Sequence, residues 1–261
     1  MKSTKSRRAR SALLGAAGVL TLLLVWQASS ELGWVNGTYF PPPTEVFAAL
    51  GRFVLDLNYW RTIGNTLLTW AIGLAIAGVS ALVLGTVVGL VPVLRRYTRS
   101  TVEFLRPIPS VAIIPLAILL FGLDRDASLV IVVYATFWQI FIQVLYGVAD
   151  VDPVARDTQR SFGLGTLSRF RYLVLPTALP YIMTGVRVGV VLATVSVVVA
   201  EFVAGRIGLG AVMIVGYAQL DTPLVFGALF VLTLIGLAYY LSALLLETVV
   251  LRWFNLAHPA D

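Results

Sequence analysis

Few side chains in this sequence could make or break covalent bonds. The chain of 261 residues has no cysteine, one histidine (His258) and two lysines, Lys2 and Lys5. A disulfide, a thiol nucleophile, a Cys/His metal site and a Ser/His/Asp triad inside the fold are therefore excluded. A P-loop is excluded too, because its lysine follows glycines, whereas both lysines stand at the very start of the chain. The sequence predicts a protein that is not an enzyme and that itself binds no metal or cofactor.

Glu201 is the first candidate for noncovalent chemistry, because it follows the apolar run ATVSVVVA. A carboxylate inside a membrane is costly unless it faces a polar partner or a wet cavity. Glu201 therefore either forms an outer gate or solute contact, or accepts hydrogen bonds from the turn VAGRIGLG. In that turn Gly205, Gly208 and Gly210 let the backbone fold closely.

Three further polar side chains could line a translocation path: Gln139, Gln143 and Arg187. The two glutamines are four positions apart and so share one helix face, where they either line a cavity or hydrogen-bond a neighbouring helix. Arg187 either extends to the lipid headgroups or faces an inward cavity as an anion contact.

The composition identifies a membrane protein. Apolar residues make up 59% of the chain and charged residues 12%, whereas a soluble domain is roughly half apolar and about a quarter charged. A helix needs about 20 mostly apolar residues to cross the hydrocarbon core. Such stretches lie near residues 11–30, 63–91, 101–121, 127–149, 181–204 and 225–250. The sequence predicts an all-α membrane protein with six transmembrane helices, the third of which starts earlier and kinks at Pro107, Pro109 and Pro115.

The basic residues predict on which side of the membrane the ends of these helices lie. Fourteen of the nineteen arginines and lysines fall on the side of the N-terminus, which puts residues 1–10 and 251–261 in the cytoplasm. Attraction of these residues to anionic lipid accounts for the formal charge of +6 without a nucleic-acid partner. The basic start and the apolar run after it also match a signal peptide. We interpret residues 11–30 as a retained helix, because the apolar run continues through Ala28 and the cleavage match is weak.

The long outer segment, residues 31–62, contains a predicted amphipathic helix. Thr44 follows three consecutive prolines and suits a helix N-cap. Apolar residues recur after it at helical spacing: Val46, Phe47, Leu50, Phe53, Val54 and Leu57. This helix either lies on the outer membrane surface or packs against the outer loops.

A polar insert, residues 150–180, separates the fourth and fifth apolar stretches and is called the insert below. Residues 153–162 have a helical pattern, with Pro153 at a first-turn position. Gly163 and Gly165 then bracket a turn in which positive φ is expected. Apolar side chains of the two short helices, among them Phe162, suit contact with a cytoplasmic partner. The alternative is a plain connection that packs on the bilayer surface.

The second half of the insert is predicted to form another short helix, from Thr166 to about Leu175. Pro176 and Pro180 are expected to end this helix and to redirect the chain into the fifth span, because proline lacks the amide hydrogen that a helix needs.

The insert resembles the signature loop of the permease subunits of type I ATP-binding-cassette importers. That signature is Glu-Ala-Ala, three residues, Gly, nine residues, Ile, one residue and Leu-Pro. This chain has Asp157-Thr158-Gln159, three residues, Gly163, nine residues, Leu173, one residue and Leu175-Pro176. The glycine, the apolar position and the Leu-Pro pair match at the correct spacing, while both alanines are replaced.

The resemblance implies the type I importer permease fold in a bacterial inner membrane, with a transmembrane core at residues 63–250. It implies pairing with a second permease copy, docking of two ATP-binding-cassette ATPase subunits from the cytoplasm, and an extracytoplasmic substrate-binding protein. ATP and Mg²⁺ belong to the ATPase partner. The implied ATPase-docking residues are Asp157, Phe162, Gly163, Leu164, Leu173, Leu175 and Pro176.

Four segments resemble the branch of that family that moves nitrate, aliphatic sulfonates, taurine and related solutes. They are PPPTEV, RPIPSVAIIPLAILLFG, RYLVLPTALPYIMTGVRVGV and AEFVAGRIGLGAVM. A small anionic or zwitterionic solute is implied, which favours the structural role for Glu201, since a bare carboxylate repels anions.

Two other classes of protein compete with this interpretation. A secondary transporter or channel that acts without an ATPase typically has inverted repeats or ion-coupling charges at membrane depth. We find no repeat and, at depth, only Glu201. A membrane-embedded enzyme is disfavoured by the scarcity of His, Cys and Lys.

Overall fold

The computed structural model describes residues 2–204 and 206–257, so Gly205 and His258 lie outside it. The described chain is almost entirely helical, which confirms the all-α prediction. The α-helices are α1 (Lys2–Glu31), α2 (Pro43–Leu55), α3 (Leu57–Leu90), α4 (Pro92–Leu105), α5 (Ile114–Phe121), α6 (Arg125–Ala149), α7 (Pro153–Ser161), α8 (Thr166–Arg169), α9 (Leu175–Ala204), α10 (Leu209–Ala218) and α11 (Thr222–Ala257). A 3₁₀ turn at Ser110–Ile113 precedes α5, and a π-helical turn at Phe170–Val174 joins α8 to α9.

Five helical segments in the described chain are long and apolar enough to cross a membrane. They are Leu13–Glu31, Leu57–Leu90, Arg125–Ala149, Thr166–Ala204 and Thr222–Arg252. Each of them overlaps one of the six predicted spans. The bent pair Pro92–Leu105 plus Ser110–Phe121 gives a sixth if it counts as one span.

The third span differs from the expected single kinked helix. Its two helical parts meet at an angle of 82°, and the helix is broken between Leu105 and Ser110, where Pro107 and Pro109 stand. The second part has 12 residues, about 18 Å at an α-helical rise, which is shorter than the roughly 30 Å core. The prolines therefore break this span rather than merely kink it.

The chain divides into two compact units, of which the first comprises residues up to Arg61 together with Val212–Val231. Here Trp26 Nε1 donates to the carbonyl of Pro41 at 3.0 Å, and the Trp26 ring lies against Phe40 and Phe226. The helix α2 packs on the start of α11 through the edge-to-face pair Phe47 and Phe230, with ring centroids 6.1 Å apart.

Two details of α2 correct the sequence prediction. The helix begins at Pro43 and Pro42 occupies the N-cap, so Thr44 is not the cap. Proline fits the first helical position because its φ is already helical and its missing amide would have no partner there. The buried face contains Val46, Ala49 and Phe53, whereas Phe47 and Val54 from the predicted stripe are exposed and Leu57 begins α3.

The second unit, Thr62–Ala211 with Leu232 onward, contains the core around α6. Small residues of α3 lie directly against valines of α6. A Cβ at Gly85 would lie 2.9 Å from Val144 Cβ, and one at Gly89 would lie 3.0 Å from Val148 Cβ. Real Cβ atoms rarely come this close, so the glycines permit the close packing of α3 on α6.

On another side, α6 packs against α9 in the same manner. A Cβ at Gly147 would meet the Cα of Ala178 at 2.7 Å, and one at Gly185 would meet Gln143 Cβ at 2.9 Å. The helix α6 is thereby held between α3 and α9, with Ile131, Ile140 and other side chains completely buried. This packing fixes the ends of α6 and α9, which flank the insert.

Candidate functional site

The insert begins with α7, whose start is capped by Asp152. Its Oδ1 accepts a hydrogen bond from the Val154 amide at 2.8 Å, and Pro153 takes the first helical position. The helix ends at Ser161, one residue before the predicted end. The predicted first helix of the insert is confirmed, and its cap is a carboxylate that satisfies an otherwise unpaired amide.

Gly163 ends α7 through a bend that only glycine adopts easily. Its φ is +69°. The Gly163 amide donates to the Arg160 carbonyl at 3.0 Å and the Leu164 amide to the Gln159 carbonyl at 3.1 Å, which is the hydrogen-bond pattern of a Schellman motif. The positive φ expected at Gly163 is confirmed. At Gly165 it is wrong, because that residue has a φ of −64° and any side chain would fit its backbone.

The bend places Phe162, Gly163 and Leu164 together at an exposed tip. The Phe162 side chain is 80% exposed, and Asp157 is exposed beside Arg160, with 3.6 Å between Oδ1 and Nη1. The tip thus presents an apolar ring to solvent, and α7 beside it presents a carboxylate.

The remaining signature residues lie further along the insert. Leu173 is partly buried and packs against the α6 core that includes Val148, while Leu175 and Pro176 are half-exposed at the start of α9. The structure therefore divides the signature residues into an exposed tip and a base anchored on the core.

The two prolines do not end the second helix of the insert, contrary to the sequence prediction. Helical structure continues from Thr166 through Pro176 and Pro180 to Ala204. The π-helical turn precedes Pro176, and in it the Leu175 amide donates to the Phe170 carbonyl. Pro176 stands in the first turn of the α-helix that follows, a position that tolerates proline. The second helix of the insert is thus the start of the fifth span.

Glu201 is buried among donors from two other segments. Its Oε2 accepts a hydrogen bond from Thr66 Oγ1 at 2.8 Å and one from the Gly210 amide at 3.2 Å. Thr66 Oγ1 also accepts the Leu209 amide at 2.9 Å. A Cβ at Gly208, whose φ is +93°, would overlap the Glu201 carboxylate. These contacts match the second role considered for Glu201, as an acceptor for the turn that follows α9.

The space beside Glu201 is too small for a water molecule. It is lined by Thr69, Arg125 and Ser128 among others, and Arg125 donates to Asn65 Oδ1 at 2.8 Å. In the described part of the chain, Glu201 Oε1 is buried without a hydrogen-bond partner. The carboxylate is therefore sealed from solvent in this conformation, with one oxygen bonded and one not.

Arg187 forms an ion pair that the sequence analysis did not include. Its Nη1 lies 3.1 Å from Glu247 Oε2 on α11, and both side chains are largely buried. Glu247 follows three consecutive leucines inside the sixth apolar stretch. The sequence carries a signal for this residue, because Glu247, like Glu201, is a carboxylate within an apolar run.

Gln139 and Gln143 lie on α6 and are partly buried. The Cβ of Gln143 lies close to Gly185 of α9. Within residues 2–204 and 206–257 neither amide hydrogen-bonds to another residue, and the nearby Thr136 Oγ1 is buried without a partner. The α6 face toward α9 therefore has spare hydrogen-bonding capacity.

Comparison with known proteins identifies relatives of this chain. Residues 81–255 match the family described as binding-protein-dependent transport system inner membrane component. The aliphatic sulfonates transport permease protein SsuC of Escherichia coli K12 is 32% identical over 232 residues, which cover 89% of this chain and 88% of SsuC. The riboflavin transport system permease protein RibX of Chloroflexus aurantiacus is 35% identical over 244 residues, 92% of this chain and 90% of RibX.

A solved structure has the same fold. An inward-facing structure of the MetNI methionine ABC transporter superposes with a TM-score of 0.57 at 18% identity, covering 73% of this chain and 96% of the solved chain. At this identity the likeness concerns the fold alone.

Proposed function

The chain belongs to the family of binding-protein-dependent transport system inner membrane components, and we propose that an ATPase docked on its insert drives import of a small anionic or zwitterionic solute. Its relatives are permease subunits of ABC importers, which favours a permease subunit over a secondary transporter or channel. The observation that carries the docking proposal is the Gly163 bend, which holds Phe162 exposed at the tip of the insert.

In this proposal the insert and both termini face the cytoplasm. The distribution of basic residues supports this orientation, because arginines and lysines are retained on the cytoplasmic side of the membrane during insertion. The same side then contains residues 1–10, the insert and residues 251–261, and the segment 31–62 lies outside.

The ATPase binds the tip, and the base of the insert transmits its movement. Phe162 and Leu164 enter an apolar groove on the partner, and Asp157 pairs with a basic group at its rim. Exposed aromatic anchors are frequent centres of binding energy in protein interfaces, and the contact of Leu173 with the α6 core supports a rigid base. Leu175 and Pro176 then carry the movement into α9.

ATP hydrolysis takes place in separate subunits. Two ATPase subunits supply ATP and Mg²⁺ binding, a second copy of this chain completes the membrane path, and an extracytoplasmic binding protein delivers the solute. The absence of a P-loop lysine from the sequence supports this division of labour.

The solute path runs along α6 and α9. Gln139 and Gln143 offer unused amide groups to the solute. The ion pair between Arg187 and Glu247 acts as a gate beside this path. Glu201 stabilises the fold instead. The sulfonate relative supports an anionic solute, and because another relative is named for riboflavin, uptake assays should include that flavin.

Co-purification with the ATPase tests the docking proposal. The tagged chain is expressed with an ATP-binding-cassette ATPase subunit from the same genome, and retained ATPase is measured for wild type, Phe162→Ala and Phe104→Ala. Phe104 is a matched control, because it is 73% exposed on α4. We expect Phe162→Ala to weaken ATPase binding about 30-fold, as for an interface anchor, and Phe104→Ala to leave binding unchanged.

Uptake into proteoliposomes supplies the second measurement. ATP-dependent uptake is measured for ethanesulfonate, taurine and riboflavin, delivered by the binding protein, and we expect uptake of one of them by wild type and its loss in Phe162→Ala. Uptake by the chain without any ATPase would contradict the proposal, as would equal ATPase retention by wild type and Phe162→Ala.

A further inference from the structure

A cleft of about 390 Å³ lies between the insert and the ends of two membrane helices. One wall comes from the end of α3 and the start of α4, and another from the end of α6 at Val148 and Ala149. The third wall is formed by α7, α8 and the π-helical turn. All of these segments belong to the second compact unit. The cleft is separate from the exposed tip at Phe162.

Four arginines line this cleft: Arg95, Arg156, Arg160 and Arg169. The residues that line it include no aspartate or glutamate. The carboxylate of Asp157 is exposed and lies 3.6 Å from Arg160. Such a surface ion pair contributes little to the free energy of folding. Four positive charges thus line one concave space, and Asp157 beside Arg160 is the carboxylate paired with one of them.

Arg169 has hydrogen-bonding capacity that the protein does not use. Its Nη2 donates to Thr166 Oγ1 at 3.3 Å, but its Nε is buried without a partner. Leaving a buried charged donor unsatisfied is costly, so a bound acceptor stabilises such a group. The Thr166 hydroxyl also lines the cleft, and its own hydrogen is available to an incoming oxygen.

The position of the cleft at the ends of two long apolar helices favours a lipid headgroup as the source of the ligand. The apolar helices α3 and α6 end at its walls, and α4 begins there with Pro92, followed one turn later by Arg95. The end of a membrane-spanning helix lies near the lipid headgroups, where basic pockets between helices bind anionic headgroups.

We propose that this cleft binds a phosphate group, supplied by an anionic phospholipid headgroup or by free phosphate. A tetrahedral phosphate offers several oxygens to guanidinium groups that approach from different directions, as they do from α4, α7 and α8, whereas a carboxylate offers two. A bound phosphate joins the insert to the α3–α4 corner. The inference does not depend on the transported solute or on the ATPase.

Lipid retention by the full-length chain tests the site. The detergent-solubilised chain is titrated with dioleoylphosphatidylglycerol or, as a zwitterionic reference, dioleoylphosphatidylcholine, and bound lipid is counted by native mass spectrometry. We expect preferential retention of phosphatidylglycerol, with about tenfold weaker binding in Arg156→Gln and in Arg169→Gln. The matched controls Arg96→Gln and Arg171→Gln remove the same charge from neighbouring positions that do not line the cleft, and we expect both to bind like wild type.

A second variant tests the cleft without altering its charge. Ala149 is exposed and lines the cleft, so Ala149→Phe fills the space while the core is undisturbed. We expect this variant to unfold at the same temperature as wild type and to lose phosphatidylglycerol retention.

The source of the phosphate is decided by a further measurement. Radiolabelled inorganic phosphate is added to the chain in phosphatidylcholine nanodiscs. Binding that depends on Arg156 and Arg169 assigns the cleft to free phosphate, whereas phosphatidylglycerol retention that excess phosphate does not displace assigns it to lipid. Equal retention of both lipids without phosphate binding would overturn the proposal, as would equal losses in Arg96→Gln and Arg156→Gln.

Discussion

The Thr66 hydroxyl donates a 2.8 Å hydrogen bond to the Glu201 carboxylate, across 135 positions of sequence. The same oxygen accepts the Leu209 amide at 2.9 Å. One small side chain on α3 therefore bonds both one oxygen of the buried carboxylate at the end of α9 and a backbone donor at the start of α10. If these two hydrogen bonds serve only the fold, their loss should lower the free energy of unfolding and leave the affinity for solute unchanged.

Thr66→Val tests these hydrogen bonds, because valine has the shape of threonine but lacks its hydroxyl. We expect the free energy of unfolding to fall by about 1–3 kcal/mol, the cost of leaving buried polar groups without partners. Thr69→Val is the matched control. Thr69 is equally buried on the same helix, but its hydroxyl bonds only the carbonyl of Asn65 one turn earlier.

The measurements are denaturant unfolding in detergent and the KM for solute uptake. We expect Glu201→Gln to behave like Thr66→Val, with reduced protein yield and unchanged KM. A changed KM in either variant at normal stability would instead identify Glu201 as a solute contact or gate.

Gly163→Val should uncouple the ATPase from transport. Valine at a φ of +69° is strained by about 1–2 kcal/mol or more, so the bend that holds the tip is lost. Gly165→Val is the control, because a Cβ meets nothing within 4 Å at either position and Gly165 has an ordinary φ of −64°. ATPase retention and ATP-dependent uptake by the two variants give the comparison. Full transport by Gly163→Val would show that the bend is dispensable.

Arg187 and Glu247 should be coupled in a double-mutant cycle. Removing either partner leaves the other charge unpaired in an apolar setting, at a cost of about 2 kcal/mol or more for each single variant. The double variant Arg187→Gln with Glu247→Gln should lose less stability than the sum of the single variants. Additive losses in unfolding experiments would mean that the two side chains do not interact.

Gly85→Ala should destabilise the contact between α3 and α6. The new Cβ would lie 2.9 Å from Val144 Cβ, so the helices must move apart. On the same helix, Gly78→Ala places its Cβ 3.9 Å from Ile140 Cδ1, an ordinary contact, and should be tolerated. Thermal unfolding of the two variants should differ by several degrees, and equal melting temperatures would contradict the packing described here.

Local signals in the sequence predicted the parts of the fold that depend on local chemistry. Pro153 and Gly163 mark the two ends of α7, because proline fits a first helical turn and glycine fits a positive φ. Length and hydropathy likewise predicted the long helices. Glu201 was recognised as unusual because a carboxylate in an apolar run requires a partner.

Features that depend on distant segments could not be predicted in this way. Thr66 lies on another helix, and nothing in its own neighbourhood indicates that it would reach Glu201. Local signals predict a helix end at Pro176, but the preceding π-helical turn changes the local hydrogen bonding and the helix continues through this proline. The Arg187 and Glu247 pair joins two spans that are far apart in sequence.

The helix from Thr166 to Ala204 is continuous, so the two ends of the fifth span are rigidly connected. Its 39 residues correspond to about 58 Å at the helical rise. One end begins three residues beyond the Gly163 bend, and the other carries Glu201 in its last turn. A tilt of about 5° about the end near Glu201 displaces the end at Thr166 by about 5 Å on this length. A displacement of the helix at Thr166 is therefore carried along one continuous helix to its other end, where Glu201 accepts the hydrogen bond of Thr66.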